Sequence, residues 1–272
     1  YTKNPDYWGY DEKYPENRLP YIDEISALVM KEDATYIAAL RSGKVDIIGY
    51  SGGTTLLSMD QVESLQRTNP EIELWPFAYR SNTAYAIETT KPPFSDIRVR
   101  KAMQMALDHE TINNTFYRGY GLWKPQGLIG DAIVGYNTPF EEWPEALQQE
   151  YTYNPERAEE LLDEAGYPRG ADGLRFKTDV VHSVVHQAVE YTELVVGYWA
   201  KIGIEVKIDA VDAPTAGARI FSGHDFEGLA TTASGMDYLE VLQPLRNHSV
   251  QGMNLHGGGF PAYEALYEAA AA

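Results

Sequence analysis

Apolar residues recur along this chain at two periods, and the switches between them mark out its elements. Val99, Ala102, Met103 and Ala106 stand at i, i+3, i+4 and i+7, which puts them on one face of a helix over about Asp96–Leu107. Pro155 opens a second helical stretch in which Ala158, Leu161, Leu162 and Ala165 share a face and Gly166 closes it. Pro at the first helical position and Gly just past the last one are the expected punctuation. Shorter helices are predicted over Met59–Arg67, His109–Tyr117 and Ala34–Arg41. The last of these has Asp33 to cap its start and Gly43 to stop it.

The final third alternates the two periods. Phe176–His182 reads as a strand, Val184–Ile202 as a long helix and Ile204–Val211 as a strand with Ile204, Val206 and Ile208 on one face. Ala213–Phe221 then reads as a helix and Phe226–Thr232 as a strand. A βαβαβ run of this kind predicts a mostly parallel or mixed sheet covered by helices, so the fold class is α/β. Nearer the start, Ile22–Met30 and Val45–Gly49 read as strands on either side of the first helix. That would be a βαβ unit, with parallel pairing and a right-handed crossover. Glu71–Phe77 and Asn82–Glu88 are further strand candidates. Tyr1–Pro20 and Gly119–Pro155 are rich in Pro, Gly, Asn and aromatic residues, and read as long irregular loops.

Composition narrows the chemistry. Of 272 residues, 44% are hydrophobic and 23% charged, enough to build one large or two modest cores. No apolar run approaches the ~20 residues that span a bilayer. The 22 basic and 40 acidic residues leave a net charge of -18. Such a surface repels phosphate backbones and anionic lipid, so no nucleic-acid partner is expected, while cationic and zwitterionic small ligands stay open. With no cysteine, disulfides, thiolate metal sites and Cys nucleophiles are excluded. The sequence opens at Tyr1 without a charged-then-apolar leader, so any signal peptide is expected to lie outside it.

Enzyme signatures are missing. There is no G-x-S-x-G elbow, no phosphate-binding G-x-x-x-x-G-K-[ST] loop and no G-x-G-x-x-G at the first turn of the βαβαβ segment. Gly257–Gly259 reads as a loop rather than a phosphate cradle. His182 and His186 are four residues apart, which on a helix would offer two imidazoles to a metal. No third ligand follows, and surface or capping histidines are the plainer reading; His248 and His256 are weaker still. Acid pairs such as Glu141-Glu142 and Glu159-Glu160 read as solvated surface in so acidic a chain. Asp237 stands apart. It follows a predicted buried strand and the small residues Thr231–Gly235. Ligands of parallel sheets bind beyond the carboxyl ends of strands. A carboxylate there, beside Gly235 where backbone can approach a ligand, suits an ammonium group. The alternative is a helix cap for Tyr238 onward.

The order of short motifs resembles one family. Asn4-Pro5-Asp6-Tyr7-Trp8, Leu19-Pro20-Tyr21-Ile22-Asp23-Glu24-Ile25 and Ala39-Leu40-Arg41-Ser42-Gly43-Lys44-Val45-Asp46 are followed by Pro92-Pro93-Phe94-Ser95-Asp96-Ile97-Arg98-Val99-Arg100-Lys101-Ala102. Tyr153-Asn154-Pro155 then leads to Leu161-Leu162-Asp163-Glu164-Ala165-Gly166-Tyr167, and Trp199–Val206 matches a helix-to-strand junction. Together they resemble the extracellular solute-binding proteins of the peptide/nickel class of ABC transporters, family 5.

That resemblance implies lobes of the type II periplasmic-binding-protein kind, which close on a ligand like a flytrap, and a full chain longer than this one. Residues 1–77 would be a returning segment of the first lobe, and 78–272 most of the second without its final crossover. It implies a monomeric, non-enzymatic receptor, periplasmic or extracellular and open to lipid anchoring. Short peptides would be its cargo and a membrane ABC permease its partner, with no cofactor or metal. In peptide-binding members an aspartate after a G-W-x-x-D-Y stretch holds the peptide ammonium. The matching residues here are Ser234, Gly235, Met236, Asp237 and Tyr238, with Ser234 near the place of the tryptophan. Other cargo stays open, namely an oligosaccharide, a nickel complex or another small solute; an α/β-hydrolase-like enzyme is a remote alternative.

Overall fold

The computed structural model of the chain describes residues 1–30, 32–48, 57–75, 81–125, 138–184, 189–222, 225–235 and 259–271. The chain divides into two compact units, Tyr1–Leu57 and Ser58–Ala272. No helix among the described residues is long and apolar enough to cross a membrane.

Among its described residues the first unit has one helix, α1 (Asp33–Arg41), with Ile37 and Ala39 buried. Much of the rest is held by backbone and side-chain hydrogen bonds. Ile25 N–H donates to Tyr1 O at 2.8 Å and Leu19 N–H to Gly9 O at 3.0 Å. The Asp11 carboxylate gathers the Lys13 and Tyr14 amides and the Tyr21 hydroxyl. The segments 22–30 and 45–48, read above as strands, carry no ladder. Pairing in this unit is limited, among the described residues, to the isolated bridges Thr2↔Glu24 and Tyr10↔Arg18. The expected βαβ unit is therefore not realised among the described residues. A strand needs a lateral neighbour for its N–H and C=O groups, and here Ile22, Ile25, Leu28 and Val29 stay exposed, Val29 at 93%.

In chain order the second unit comprises α2 (Met59–Thr68), β1 (Ser81–Ile87), α3 (Ile97–Met105), α4 (His109–Phe116), α5 (Glu145–Tyr151) and α6 (Pro155–Glu164). There follow β2 (Phe176–Ser183), α7 (Val189–Lys201), β3 (Ile204–Val211), α8 (Ala213–Ala216) with a π-helical turn Gly217–Ser222, β4 (Leu229–Gly235) and α9 (Pro261–Ala271). The helix starts are sequence-coded. Ser58 and Gln61 form a capping box on α2, and the Asp96, Asp108 and Asn154 side chains accept first-turn amides of α3, α4 and α6.

The four strands form one mixed sheet in the order β1-β4-β2-β3. β2 runs parallel to β3 from Phe176↔Ile204 to Ser183↔Val211 and parallel to β4 at Val180↔Leu229. β1 runs antiparallel to β4. Strand alternation sends successive side chains to opposite faces, and each face has its own core. Val180, Ile204, Val206 and Leu229 pack with residues of α3, α6 and α7. Val181, Ala230 and Ala86 pack with Ala216, Ile220 and Phe226. Because β3 and β4 flank β2 on opposite sides, the connections β2–α7–β3 and β3–α8–β4 cross on opposite faces.

Three readings change. The loop expected over Gly119–Pro155 contains a 3₁₀ turn at Phe140–Glu142 and the helix α5. Its Glu145-Ala146-Leu147-Gln148-Gln149 run of strong helix formers was hidden by the surrounding Pro and aromatic residues. Residues 71–75 form no strand. β4 spans Leu229–Gly235 rather than Phe226–Thr232, so both of its ends lie three residues further on. Gly228 just before it sits so close to β2 that a Cβ would lie 2.6 Å from Asp179 O.

Candidate functional site

The parallel strands end at an edge where the sheet forks. β1 stays paired with β4 out to Ser81↔Gly235. β2 registers with β4 only at Val180↔Leu229 and Val181↔Ala230. Where that ladder stops, a side chain replaces backbone. Ser183 N–H donates to Thr231 Oγ1 at 2.8 Å, and Thr231 Oγ1 reaches back to Val181 O at a long 3.5 Å. In an unbroken parallel ladder those two β2 groups would bond the backbone of β4. So β4 follows β1, parts from β2, and Thr231 bridges the gap. A crevice at the carboxyl ends of the strands is where open α/β sheets take ligands.

Each face of the fork carries polar groups that periodicity would assign to core. On the α7 side His182 is buried, with Nδ1 3.0 Å from Thr192 Oγ1, which lies 3.2 Å from Tyr85 OH. This chain ties β2, α7 and β1 together, and the Tyr85 ring stands edge-on to Trp199 at 5.3 Å. On the other face Ser183 and Thr232 are buried, and their hydroxyls meet no hydrogen-bond partner among the described residues. Two carboxylates toward the end of β3 and just after it have partners. Arg219 Nη1 donates to Asp209 Oδ2 at 2.6 Å. Asp212 caps α8, and the hydrogen bonds it accepts from Thr215 hold its carboxyl below the usual range.

Ser234 and Gly235 are the last two residues of β4, opposite Asn82 and Ser81 of β1. Met236, Asp237 and Tyr238 lie outside the described residues, as do His186, His248 and His256. His182 sits on a strand, so the helical spacing that would have paired it with His186 does not hold. No group of three or more His, Asp and Glu side chains suited to a metal occurs among the described residues. Sequence reasoning missed Thr231, Thr232 and Ser183. Their one signal was polarity at positions where a buried strand should have stayed apolar. Elsewhere, a surface depression of about 510 Å³ in the first unit is lined by Tyr1, Tyr7, Leu19, Pro20 and Ile22.

The family described as bacterial extracellular solute-binding proteins, family 5 Middle, matches residues 1–249. Heme-binding protein A of Haemophilus influenzae is 29% identical over 195 residues, 71% of this chain and 32% of that protein. The dipeptide-binding protein of Escherichia coli is 26% identical over 203 residues, 74% and 33% respectively. Among solved structures, the periplasmic binding protein DppA of Helicobacter pylori in complex with the peptide STSA superposes with a TM-score of 0.72 at 24% identity, covering 99% of this chain and 48% of that one. NikA of Brucella suis, in complex with Fe(III)-EDTA, superposes at 0.66 with 22% identity, covering 98% and 52%. These structures share the fold. The chain spans about a third of the length of the curated relatives and about half of the solved ones.

Proposed function

This chain belongs to the bacterial extracellular solute-binding proteins of family 5, and from that premise we propose that the whole protein captures short peptides outside the cytoplasm and hands them to a membrane ABC permease. It acts as a receptor and leaves its cargo chemically unchanged. Residues 1–77 contribute to one lobe and 78–272 to the other, a division placed later in the chain than the boundary of the compact units at Leu57/Ser58. Asp237 meets the peptide ammonium, and Ser234, Gly235, Met236 and Tyr238 surround the peptide backbone. One observation carries this reading: β4 brings Ser234 and Gly235 to the carboxyl edge at which β2 and β4 part. A charge-assisted contact of this kind contributes about 1.5–3 kcal/mol net.

Calorimetry on the full-length protein tests the proposal, with dipeptides, N-acetylated dipeptides, glutathione and heme as probes. Free dipeptides are expected to bind, N-acetylation to abolish binding, and Asp237→Asn to weaken it by about 10- to 150-fold, the equivalent of that contact. Binding that tolerates N-acetylation and Asp237→Asn removes the assigned role. Heme or glutathione binding in place of dipeptides moves the cargo, and leaves the receptor reading standing.

A further inference from the structure

The fork holds two hydroxyls for which the fold has no evident use. Ser183 and Thr232 are 0% and 5% exposed, and Ser183 Oγ and Thr232 Oγ1 have no hydrogen-bond partner among the described residues. Burying a hydroxyl unpaired costs stability, so each such group in a native fold calls for a reason. The neighbouring positions show the alternative. Val181 and Ala230 are registered partners on the same face and are wholly apolar. Ser183 and Thr232 each stand two residues further on, so strand alternation puts both on that face, one on each side of the fork. Alanine and valine would fill the same space without the penalty.

We propose that Ser183 Oγ and Thr232 Oγ1 form a cargo subsite that hydrogen-bonds an amide group of the bound solute. This rests on the receptor reading above. Each hydroxyl donates one hydrogen bond and accepts up to two, so the pair meets both the N–H and the C=O of an amide. The pair is uncharged, so it recognises the backbone of a peptide and leaves its side chains and net charge unread. The ammonium contact assigned to Asp237 and this amide contact would then grip different parts of one cargo. The cost to the empty protein is the reason to expect a function: polar groups retained against stability concentrate where binding needs them.

The test uses the full-length protein and the double variant Ser183→Ala/Thr232→Val, with L-alanyl-L-phenylalanine, glutathione and heme as probes. For whichever of the two amide-bearing probes, the dipeptide or glutathione, binds the unmodified protein, affinity is expected to fall at least tenfold in the double variant, while heme, which has no amide, serves as the control. The melting temperature of the unliganded variant is expected to equal or exceed that of the parent, because an unpaired polar pair has been replaced by matched apolar groups. Thr232→Ser, which keeps the hydroxyl, is expected to hold affinity within about threefold. Affinity unchanged in the double variant overturns the subsite. So does a fall of several degrees in its unliganded melting temperature, which would mean that the hydroxyls serve the fold through a bound water. A parent protein that binds neither amide-bearing probe overturns the peptide reading and takes the subsite with it. Binding by the parent with an indifferent double variant removes the subsite alone.

Discussion

Trp8 and Trp199 are the same residue in two very different settings. Trp8, in the unit Tyr1–Leu57, is 82% exposed, and its ring leans on Tyr7 at 5.5 Å. Trp199, in the unit Ser58–Ala272, is 3% exposed, and its indole N–H donates to Met103 O at 3.0 Å. The contrast runs through both units. The second has a sheet with a core on each face; the first has apolar segments of strand-like composition and, among its described residues, no ladder to hold them. Apolar content is similar in kind, so the difference lies in lateral partners. A strand satisfies half of its hydrogen-bonding groups only when another strand lies alongside.

The largest expected effect would break the comparison if it failed. Trp199→Ala should lower the free energy of unfolding by about 3–5 kcal/mol, through lost packing and a cavity. Trp8→Ala should change it by no more than about 0.5 kcal/mol. Urea denaturation followed by circular dichroism measures both, and comparable losses would mean that the first unit is packed as the second is.

Cations give the next contrast. The Arg175 side chain is 2% exposed, and its guanidinium bonds Glu159 Oε2 at 3.0 Å, the Tyr167 carbonyl at 2.7 Å and the Asp163 carboxylate. Removing it as Arg175→Met should cost about 2–3 kcal/mol, because several charged hydrogen bonds go together. Lys3 meets Asp23 at 3.5 Å on the surface of the first unit. Lys3→Met should cost about 0–0.5 kcal/mol, the usual worth of an exposed pair. The same denaturation series reads both.

Two glycines sharpen it further. Gly43 and Gly203 both have positive φ, +65° and +86°. A Cβ on Gly43 meets nothing within 4 Å, whereas one on Gly203 would lie 3.0 Å from Arg169 Nη1, Arg175 Cγ and Gly173 O. Gly43→Ala should therefore cost about 1 kcal/mol, the left-handed backbone alone, and Gly203→Ala about 2–3 kcal/mol. Equal losses would mean that packing around Gly203 yields freely.

The smallest effect is a pH dependence. Hydrogen bonds from Arg169, then Arg175, pull the Glu159 carboxyl down from 4.5 to about 2. Its folded value is lower than its unfolded one, so the unfolded state binds the proton more readily. The stabilisation is present in full above about pH 4.5 and is lost as pH falls from there toward 2. Glu159→Gln should melt lower than the parent at pH 7, with the gap closing across that window. Asp11, in the first unit, is also held low, chiefly by the Tyr21 hydroxyl, but its partners are neutral groups of a surface loop rather than arginines. Asp11→Asn should leave the melting temperature unchanged at every pH.

Much of the second unit was legible in the residues. The β3 strand, and the helix that Asn154, Pro155 and Gly166 punctuate, were read nearly to the residue, because their caps and periods are local. The last strand was read three residues early, as Phe226–Thr232, so Ser234 and Gly235, expected beyond it, are in fact its last two residues. The strands expected at Ile22–Met30 and Val45–Gly49 were not realised among the described residues, although the sequence there carries the pattern. The fork was invisible, since Thr231 looks like any strand threonine until its hydroxyl is seen bonding Ser183 N. The hydroxyls of Ser183 and Thr232 acquire meaning only from the register that sets both on one face.

What the sequence determined by itself, then, is whatever depends on residues within a few positions of one another: helix faces, helix caps and turns. Only the tertiary structure decided which strands found neighbours, that β4 sides with β1 where it leaves β2, and which polar groups that parting buries. The physical reason is reach. A helix closes its hydrogen bonds within its own segment, whereas a strand closes them with residues that may lie 50 or more positions away.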